Sequence, residues 1–216
     1  MRAQVHPQVQ AHKPVGSTNQ NKEKQPDQPQ EPKPQKPLVT PKNQNLSDLQ
    51  VLHQISNSRF PVFLVFSPNH NKKCALKVFP YQDDKMSVSY TTESKFYFLN
   101  HPNVISMLAI NDKQKTSSGN KKFNASCILM ELAPFGDFAD LLTKKKLYLD
   151  QTLVRTLFHH LIEGIEYLHS KRVAHMDLKL ENMLLGEDYR LKIADFDLAY
   201  LEGDKMIRGK EIGRAH

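Results

Sequence analysis

The stretch HMDLKLEN, residues 175–182, places an aspartate, a lysine and an asparagine in one short polar segment. Asp177 is followed by Lys179 and then Asn182, and the run IADF brings a second aspartate, Asp195, about a dozen residues later. Phosphoryl transfer needs a carboxylate that accepts or orients the attacking hydroxyl, a cation beside the transferred group, and oxygen ligands for Mg²⁺. Because this spacing has a mechanism, we interpret the four side chains as a phosphoryl-transfer site.

Apolar runs upstream of this stretch predict a β-sheet. VFLVF (62–66) and CALKVF (74–79) are rich in branched and aromatic residues and flank the turn cluster SPNHNK, so we expect a β-hairpin. Further strands are predicted at 104–110 and 126–132, with a polar loop between them, and a helix at 91–99 that ends before HPN.

The hydrophobic period becomes that of a helix after APFGD. GDFADLLTKK predicts a short helix, and residues 150–169 predict a long one with Asp150 as its N-cap. The face of the long helix predicted to be buried consists of Leu153, Leu157, Leu161, Ile165 and Leu168. Two short strands, in ENMLLG and LKIADF, follow. A sheet followed by helices, with the site between them, indicates an α+β, two-lobed arrangement.

Several ordered motifs resemble one family. HMDLKLENMLL (175–185) and LKIADFDLAY (191–200) resemble the catalytic loop and metal motif of eukaryotic protein kinases, H-R-D-L-K-x-x-N and D-F-G. CALKVF resembles the strand that carries the family's A-x-K lysine, and ILMELAPFGDF resembles its hinge. The resemblance runs from about residue 50 to residue 208, and it is of the serine/threonine type, most like the calcium/calmodulin- and AMP-activated-like branch. It implies a protein-kinase-like fold with an antiparallel-sheet N-lobe plus the helix αC, and a helical C-lobe that is incomplete here.

The resemblance also implies the catalytic roles of individual residues. Asp177 is expected to be the catalytic base, and Lys179 is expected to contact the transferred phosphate. Lys77 is expected to pair with the α- and β-phosphates of ATP and with the carboxylate of Glu93.

The implied cofactors are ATP and Mg²⁺. Asn182 and Asp195 are expected to hold the metal ion. Met130 is expected to be the gatekeeper, and the backbone of Glu131 and Ala133 to read adenine. The full set expected at the nucleotide is Ile55, Phe63, Ala75, Lys77, Met130, Glu131, Ala133, Asp137 and Leu184.

The sequence departs from the family pattern at four places. The glycine-rich loop aligns with SNSRFP (56–61), which has no glycine and ends in a proline that cannot donate a backbone hydrogen bond. Glu93 lies one residue closer to HPN than the family spacing. Met176 replaces the arginine that grips a phosphorylated activation loop. Asp197 replaces the D-F-G glycine, and we expect it to restrict movement of the preceding phenylalanine.

Composition restricts the partners and the location. Residues 1–45 hold eight of the 13 prolines, with many Gln and Lys, and predict a disordered tail. A partner that reads polyproline segments such as PQKP is one reading of this tail, and a solvated leader is the other. The net charge of +7 lies largely in the tail, so a nucleic-acid partner is not predicted. The two cysteines predict no disulfide framework, and the absence of a long apolar run predicts no membrane partner, which favours a cytoplasmic or nuclear protein.

The domain limits follow from these readings. We expect an N-lobe and hinge at 46–133 and a partial C-lobe at 134–210. EIGRAH (211–216) can be back-translated into a common sequencing-library adapter, so we expect a non-native end and a longer native kinase.

Three hypotheses for function remain at this level. The first is an ATP-dependent protein serine/threonine kinase acting on a Ser or Thr of a protein substrate, with Lys77, Asp177, Asn182 and Asp195 all present. The second is a pseudokinase that binds nucleotide or partners without transfer, which the missing glycines favour. The third is that the chain as it stands is an inactive fragment of a longer kinase.

Overall fold

A computed structural model describes residues 46–56, 58–118 and 121–204, without the side chains of 116–118 and 121–123. The predicted tail (1–45) and the predicted non-native end (211–216) therefore lie outside the described residues, as do residues 205–210 of the predicted C-lobe. The first half of the described chain is a five-stranded antiparallel sheet in the order β1-β2-β3-β5-β4. Its strands are β1 (Gln50–Ser56), β2 (Val62–Ser67), β3 (Lys72–Pro80), β4 (Met107–Ser118) and β5 (Lys121–Glu131).

The predicted hairpin of β2 and β3 is confirmed, with a 3-10 turn at Pro68–His70 between the strands. The prediction of a polar loop after residue 110 is wrong, because β4 and β5 pair from Met107 opposite Met130 out to Ser118 opposite Lys121. Lys113 and Lys115 of this polar segment are exposed, while its backbone groups are satisfied by the ladder. Strand β1 was not predicted, since its residues are mostly exposed and do not alternate clearly.

The two faces of the sheet carry different residues. Cys74, Leu76 and Val78 of β3 pack in one cluster with Val65 of β2. Residues alternate along a strand, so Ala75, Lys77 and Phe79 point to the other face, where Phe79 belongs to the larger hydrophobic cluster. On this second face, Lys77 meets the carboxylates of Glu93 and Asp195.

The predicted helix at 91–99 begins earlier and is divided. Helix α1 (Val88–Glu93) continues into a 3-10 helix at Ser94–Phe98. Aromatic residues at 96–98 have low helix propensity, and tertiary packing of Phe96, which is buried, decides the geometry of this segment.

The second half is helical with short strands. Its elements are α2 (Phe138–Thr143), α3 (Gln151–Ser170) and the strands β6 (Gly136–Asp137), β7 (Val173–Ala174), β8 (Met183–Leu185), β9 (Leu191–Ile193) and β10 (Tyr200–Leu201). Strands β6, β8 and β9 form one small sheet, and β7 pairs with β10. The described chain thus has the α+β organisation that the pattern predicted.

Helix α3 begins as predicted, with the Asp150 side chain accepting a hydrogen bond from the backbone of Leu153 at 2.7 Å. Leu157 and Leu168 are buried, as predicted, and Leu161 and Ile165 are partly buried against the core. Leu153 is not: it is 36% exposed in the first turn of the helix.

Glycine is required at Gly164 of α3 by a close approach. A Cβ atom there would lie 2.9 Å from Ile193 Cδ1 and 3.0 Å from the carbonyl oxygen of Asn103. The helix therefore comes close to β9, the strand that leads into Asp195. No helix in the described part of the chain is both long and apolar enough to span a membrane.

Candidate active site

Lys77 lies between two carboxylates that come from distant parts of the chain. Its Nζ is 2.7 Å from Glu93 Oε2, at the end of α1, and 2.8 Å from Asp195 Oδ1, which follows β9. The side chains of Lys77 and Glu93 are 9% and 1% exposed, whereas that of Asp195 is 37% exposed. The carboxylate of α1 that meets Lys77 is therefore Glu93. The sequence predicts this pair, although Glu93 lies one residue closer to HPN than the family spacing.

Burial and charge act against each other in this cluster. Burial lowers the pKa of Lys77, but Glu93 and Asp195 outweigh that effect and the pKa ends above its ordinary value. Burial raises the pKa of Glu93 to about 7; Lys77 opposes this shift, while Asp195 and Asp197 add to it. Lys77 is therefore a cation at neutral pH, held in place for a further anion that approaches from the exposed side of Asp195.

The loop after β7 holds Asp177, Lys179 and Asn182 together. Asp177 Oδ2 accepts hydrogen bonds from Lys179 Nζ at 2.7 Å and from Asn182 Nδ2 at 3.0 Å. Asn182 ends a 3-10 turn (Leu180–Asn182), is buried, and also donates to the carbonyl of Asp177 at 2.9 Å. The Asp177 side chain is still 27% exposed, so one carboxylate is fixed in direction and open to a substrate.

His175 connects this loop to the segment that carries Asp195. Its Nδ1 accepts from the backbone N–H of Asp177 at 3.3 Å, so Nε2 carries the proton and donates to the carbonyl of Ala194 at 2.9 Å. Burial lowers the pKa of His175, which keeps the ring neutral at pH 7. The ring meets Phe196 edge-on at 4.9 Å between centroids, and Phe196 in turn packs on Phe96 at 5.6 Å.

The position after Phe196, where Asp197 replaces the family's glycine, does not require glycine in this structure. Asp195 has a φ of 66° and Met176 also has a φ of 66°, and Asp197 is not among the positive-φ residues of the described chain. An aspartate can therefore occupy the position after Phe196 in this conformation. Met176, in place of the arginine, is 49% exposed.

The residues present fit a magnesium ion. Asn182 uses its amide nitrogen on Asp177, which leaves the amide oxygen for a cation, and Asp195 directs only one carboxylate oxygen at Lys77. Over the described residues, no cluster of three or more His, Cys, Asp or Glu side chains forms a closed metal site. Two oxygen donors with open positions suit Mg²⁺, which usually keeps water or phosphate ligands.

Several predicted nucleotide residues lie on the elements around this cluster. Ala75 of β3 is opposite Met130 of β5, and Cys74 is opposite Glu131, the last residue of β5. Leu184 lies on β8, opposite Asp137.

Asp137 and Ile55 have different surroundings from those expected. Asp137 Oδ1 caps α2, accepting from the backbone of Asp140 at 2.8 Å, so its carboxylate already has a structural partner. Ile55 lies at a register shift of β1 and is 45% exposed.

The expectation for Phe63 is corrected by the register of the sheet. Phe63 is opposite Leu76 and packs against the cluster on the far face, so it points away from Ala75 and Lys77. Val62 is opposite Lys77 and Leu64 is opposite Ala75, so these two β2 residues share the face that carries Ala75 and Lys77. Sequence reasoning missed Leu64 because the face that each β2 residue shares with β3 follows from the cross-strand pairing, which local sequence does not contain.

A second residue missed from the sequence is Lys192 of β9. Its Nζ is 3.1 Å from Glu131 Oε2 and donates to the carbonyl of Pro102 at 3.0 Å. Glu131 also accepts from the backbone of Ser106 at 2.8 Å. A lysine inside the apolar run LKIADF was the available signal, because a buried lysine requires a partner.

Comparison with known proteins shows the family and agrees with the fold. The family model described as the protein kinase domain matches residues 59–208. "Probable cyclin-dependent kinase 9" of Caenorhabditis elegans is 28% identical over 159 residues, covering 72% of this chain and 33% of that protein. "Mitogen-activated protein kinase kinase kinase 18" of Arabidopsis thaliana is 36% identical over 47% of this chain and 30% of that protein. "NUAK family SNF1-like kinase 2" of Homo sapiens is 38% identical over 48% of this chain and 15% of that protein. The matched stretch spans a third or less of each relative.

Proposed function

The chain belongs to the protein kinase domain family, and from that premise we propose that it is an ATP-dependent protein serine/threonine kinase. In this proposal it transfers the γ-phosphoryl group of ATP to a Ser or Thr hydroxyl of a protein substrate. The observation that carries the proposal is the position of Lys77, whose Nζ lies 2.7 Å from Glu93 and 2.8 Å from Asp195. A buried, charged lysine held by two carboxylates is prepared to bind the α- and β-phosphates without further reorganisation.

The loop of Asp177 supplies the groups that act on the substrate. Asp177 accepts the proton of the attacking hydroxyl or orients that hydroxyl, since its carboxylate is fixed by Lys179 and Asn182 yet partly exposed. Lys179, already beside Asp177 at 2.7 Å, neutralises charge on the transferred phosphoryl group. His175 keeps the loop and Asp195 in a constant relation through its two hydrogen bonds.

Asn182 and Asp195 are the proposed ligands of Mg²⁺, through the oxygens that their protein hydrogen bonds leave available. The chemistry that Mg²⁺ would supply there is neutralisation of the negative charge of the ATP phosphates. For the adenine ring of ATP, we propose a binding site between Ala75 and Leu184. The carbonyl of Glu131 and the backbone of Ala133 are the proposed hydrogen-bonding groups. Leu64 replaces Phe63 in this set, because it shares the face of Ala75.

The second candidate is a pseudokinase that binds nucleotide or a partner without transfer. One observation favours it: Phe60, at the tip of the glycine-free loop, packs on Phe79 at 4.7 Å between ring centroids. A loop fixed by an aromatic contact and lacking glycines approaches phosphates less freely than a glycine-rich one. A protein partner that reads the polyproline segments of the tail is a further proposal. A third candidate is that this chain by itself is an inactive fragment of a longer kinase, so the test uses the full-length protein.

The test is transfer of label from γ-labelled ATP, with Mg²⁺, to the protein itself and to a generic basic protein. Wild type is compared with Asp177→Asn, which keeps the shape of the side chain, and with Glu187→Gln, an exposed acidic residue of the β8–β9 turn. We expect transfer in wild type and Glu187→Gln and a loss of at least about 10²-fold in Asp177→Asn. Nucleotide binding without transfer in all three proteins would refute the kinase and support the pseudokinase.

A further inference from the structure

Helix α1 has little to hold it in place by itself. It spans only Val88–Glu93, and its N-cap residue Ser87 makes no side-chain capping bond. Short isolated helices are unstable in water, so their position depends on tertiary contacts. The position of α1 matters because Glu93 is its last residue and the partner of Lys77.

Tyr90 is the residue that joins α1 to the sheet. It is 1% exposed, and its hydroxyl donates a hydrogen bond of 2.6 Å to Asp112 Oδ1 of β4. Its ring meets Phe79 of β3 edge-on, with centroids 5.5 Å apart. Tyr90 lies three residues before Glu93, so both side chains fall on the same side of the helix and are buried together.

Asp112 is itself held firmly by the sheet. The register of β4 against β5 shifts between Asn111 and Gln114, which takes the carbonyl of Asp112 out of the ladder. That carbonyl accepts hydrogen bonds from Ser126 Oγ and from the Tyr81 hydroxyl, each at 2.7 Å. The bulge and the Ser126 hydrogen bond, neither of which involves the Tyr81 hydroxyl, keep Asp112 directed toward α1.

We propose that Tyr90 is a positioning residue: through its hydrogen bond to Asp112 it holds α1 where Glu93 meets Lys77. Its part in the reaction rests on the proposed kinase function, while its part in placing Glu93 does not. Burial and the neighbouring Asp112 raise the pKa of Tyr90, so the hydroxyl remains a donor throughout the physiological range. Tyr90 touches no reacting group and acts only through Glu93.

The chain offers a matched control for this proposal. Tyr90→Phe and Tyr81→Phe each remove one phenolic hydroxyl that donates to Asp112, the first to its side chain and the second to its backbone. Only Tyr90 lies on α1; Tyr81 follows β3. A merely structural role predicts similar consequences for both variants, whereas a positioning role predicts an effect on Glu93 in Tyr90→Phe alone.

The readout that needs neither nucleotide nor activity is the pH titration of the Glu93 carboxyl carbon, followed by NMR in ¹³C-labelled protein. The charged groups around this carboxyl are Lys77, Asp195 and Asp197. In wild type and Tyr81→Phe we expect a midpoint above that of an exposed glutamate, because the group is buried. In Tyr90→Phe we expect the midpoint to fall by at least about one unit, as α1 moves away and Glu93 meets water.

The second readout is steady-state kinetics with ATP. We expect kcat/KM to fall about tenfold in Tyr90→Phe, the effect of losing one hydrogen bond to a charged group, and about twofold or less in Tyr81→Phe. An unchanged Glu93 midpoint in Tyr90→Phe, or an equal shift in Tyr81→Phe, overturns the proposal. If wild type transfers no phosphoryl group but the midpoint moves only in Tyr90→Phe, the kinase function fails and the role of Tyr90 stands.

Discussion

The cluster around Lys77 and the loop between β1 and β2 differ in what their residues keep of the family pattern. At Lys77, every side chain expected from the family is present and makes contacts of 2.7–2.8 Å. In the loop, the three glycines are absent, and the described residues 58–61 are instead fixed by Phe60 on Phe79 and by the carbonyl of Pro61, which accepts from the backbone of Val78 at 3.0 Å.

The difference follows from which atoms would bind the ligand: side-chain atoms in the cluster and backbone atoms in the loop. Side-chain charges bind phosphate and metal at Lys77 and Asp195 in the proposed function, so another residue type cannot replace them. The loop contributes backbone N–H groups, and different sequences can place a backbone in the same position if packing restrains it. The contrast teaches that loss of the glycines is less informative about activity than loss of a charged side chain.

Lys77→Met should have the largest effect. It leaves Glu93 buried without its cation, so we expect the free energy of unfolding to fall by ~3 kcal/mol, and phosphoryl transfer to fall by about 10²-fold or more. Chemical denaturation and label transfer measure the two effects. Lys73→Met, an exposed lysine of the same strand, serves as the control and should change neither by much. Equal losses in both variants would show that the charge of Lys77 contributes no more than the charge of an exposed lysine.

The pH dependence of stability should distinguish Glu93 from an ordinary carboxylate. Burial raises its pKa to about 7 in the folded protein, above that of the unfolded chain, so the folded state binds the proton more tightly. The stabilisation is complete below the unfolded pKa and is lost as pH rises through the folded pKa. Between about pH 4.5 and 7, wild type should lose stability relative to Glu93→Gln by up to about 1.4 kcal/mol per pH unit. Denaturation curves that keep a constant offset over this range would contradict the assignment.

Phe60→Ala probes the loop side of the comparison. If the chain is the proposed kinase, the Phe60–Phe79 contact restrains the loop backbone for ATP. Removing the ring should then lower the free energy of unfolding by about 1 kcal/mol and weaken ATP binding about fivefold. Calorimetric titration with ATP measures the affinity, and Tyr148→Ala, at an aromatic residue 83% exposed, is the control for loss of a ring. Tighter ATP binding in Phe60→Ala would reverse the interpretation and make the packed loop inhibitory.

Asp197→Gly should have the smallest effect. Because Asp197 does not require a positive φ in this structure, glycine adds freedom mainly to the unfolded chain. We expect the free energy of unfolding to fall by ~0.5–1 kcal/mol, measured by urea denaturation. A variant that is more stable than wild type would show that Asp197 is strained, and the stiffened hinge predicted from the sequence would then be wrong.

The site was easier to predict than the fold details around it. The residues of the Asp177 loop lie within eight positions of one another, so their spacing alone brings them together. The division of the predicted helix at 91–99 and the extension of β4 and β5 through a polar segment depended on long-range packing and pairing, which local pattern does not contain.

The sequence by itself determined the fold class, the family, and the types of side chain available for chemistry, because these depend on local periodicity and on close spacing. Only the tertiary structure decided which residues face one another. Sheet register turned Leu64 rather than Phe63 toward Ala75, since a shift of one residue exchanges the two faces of a strand. Packing across the sheet brought Tyr90 to Asp112 and Glu93 to Lys77, contacts between residues 22 and 16 positions apart that no single segment specifies.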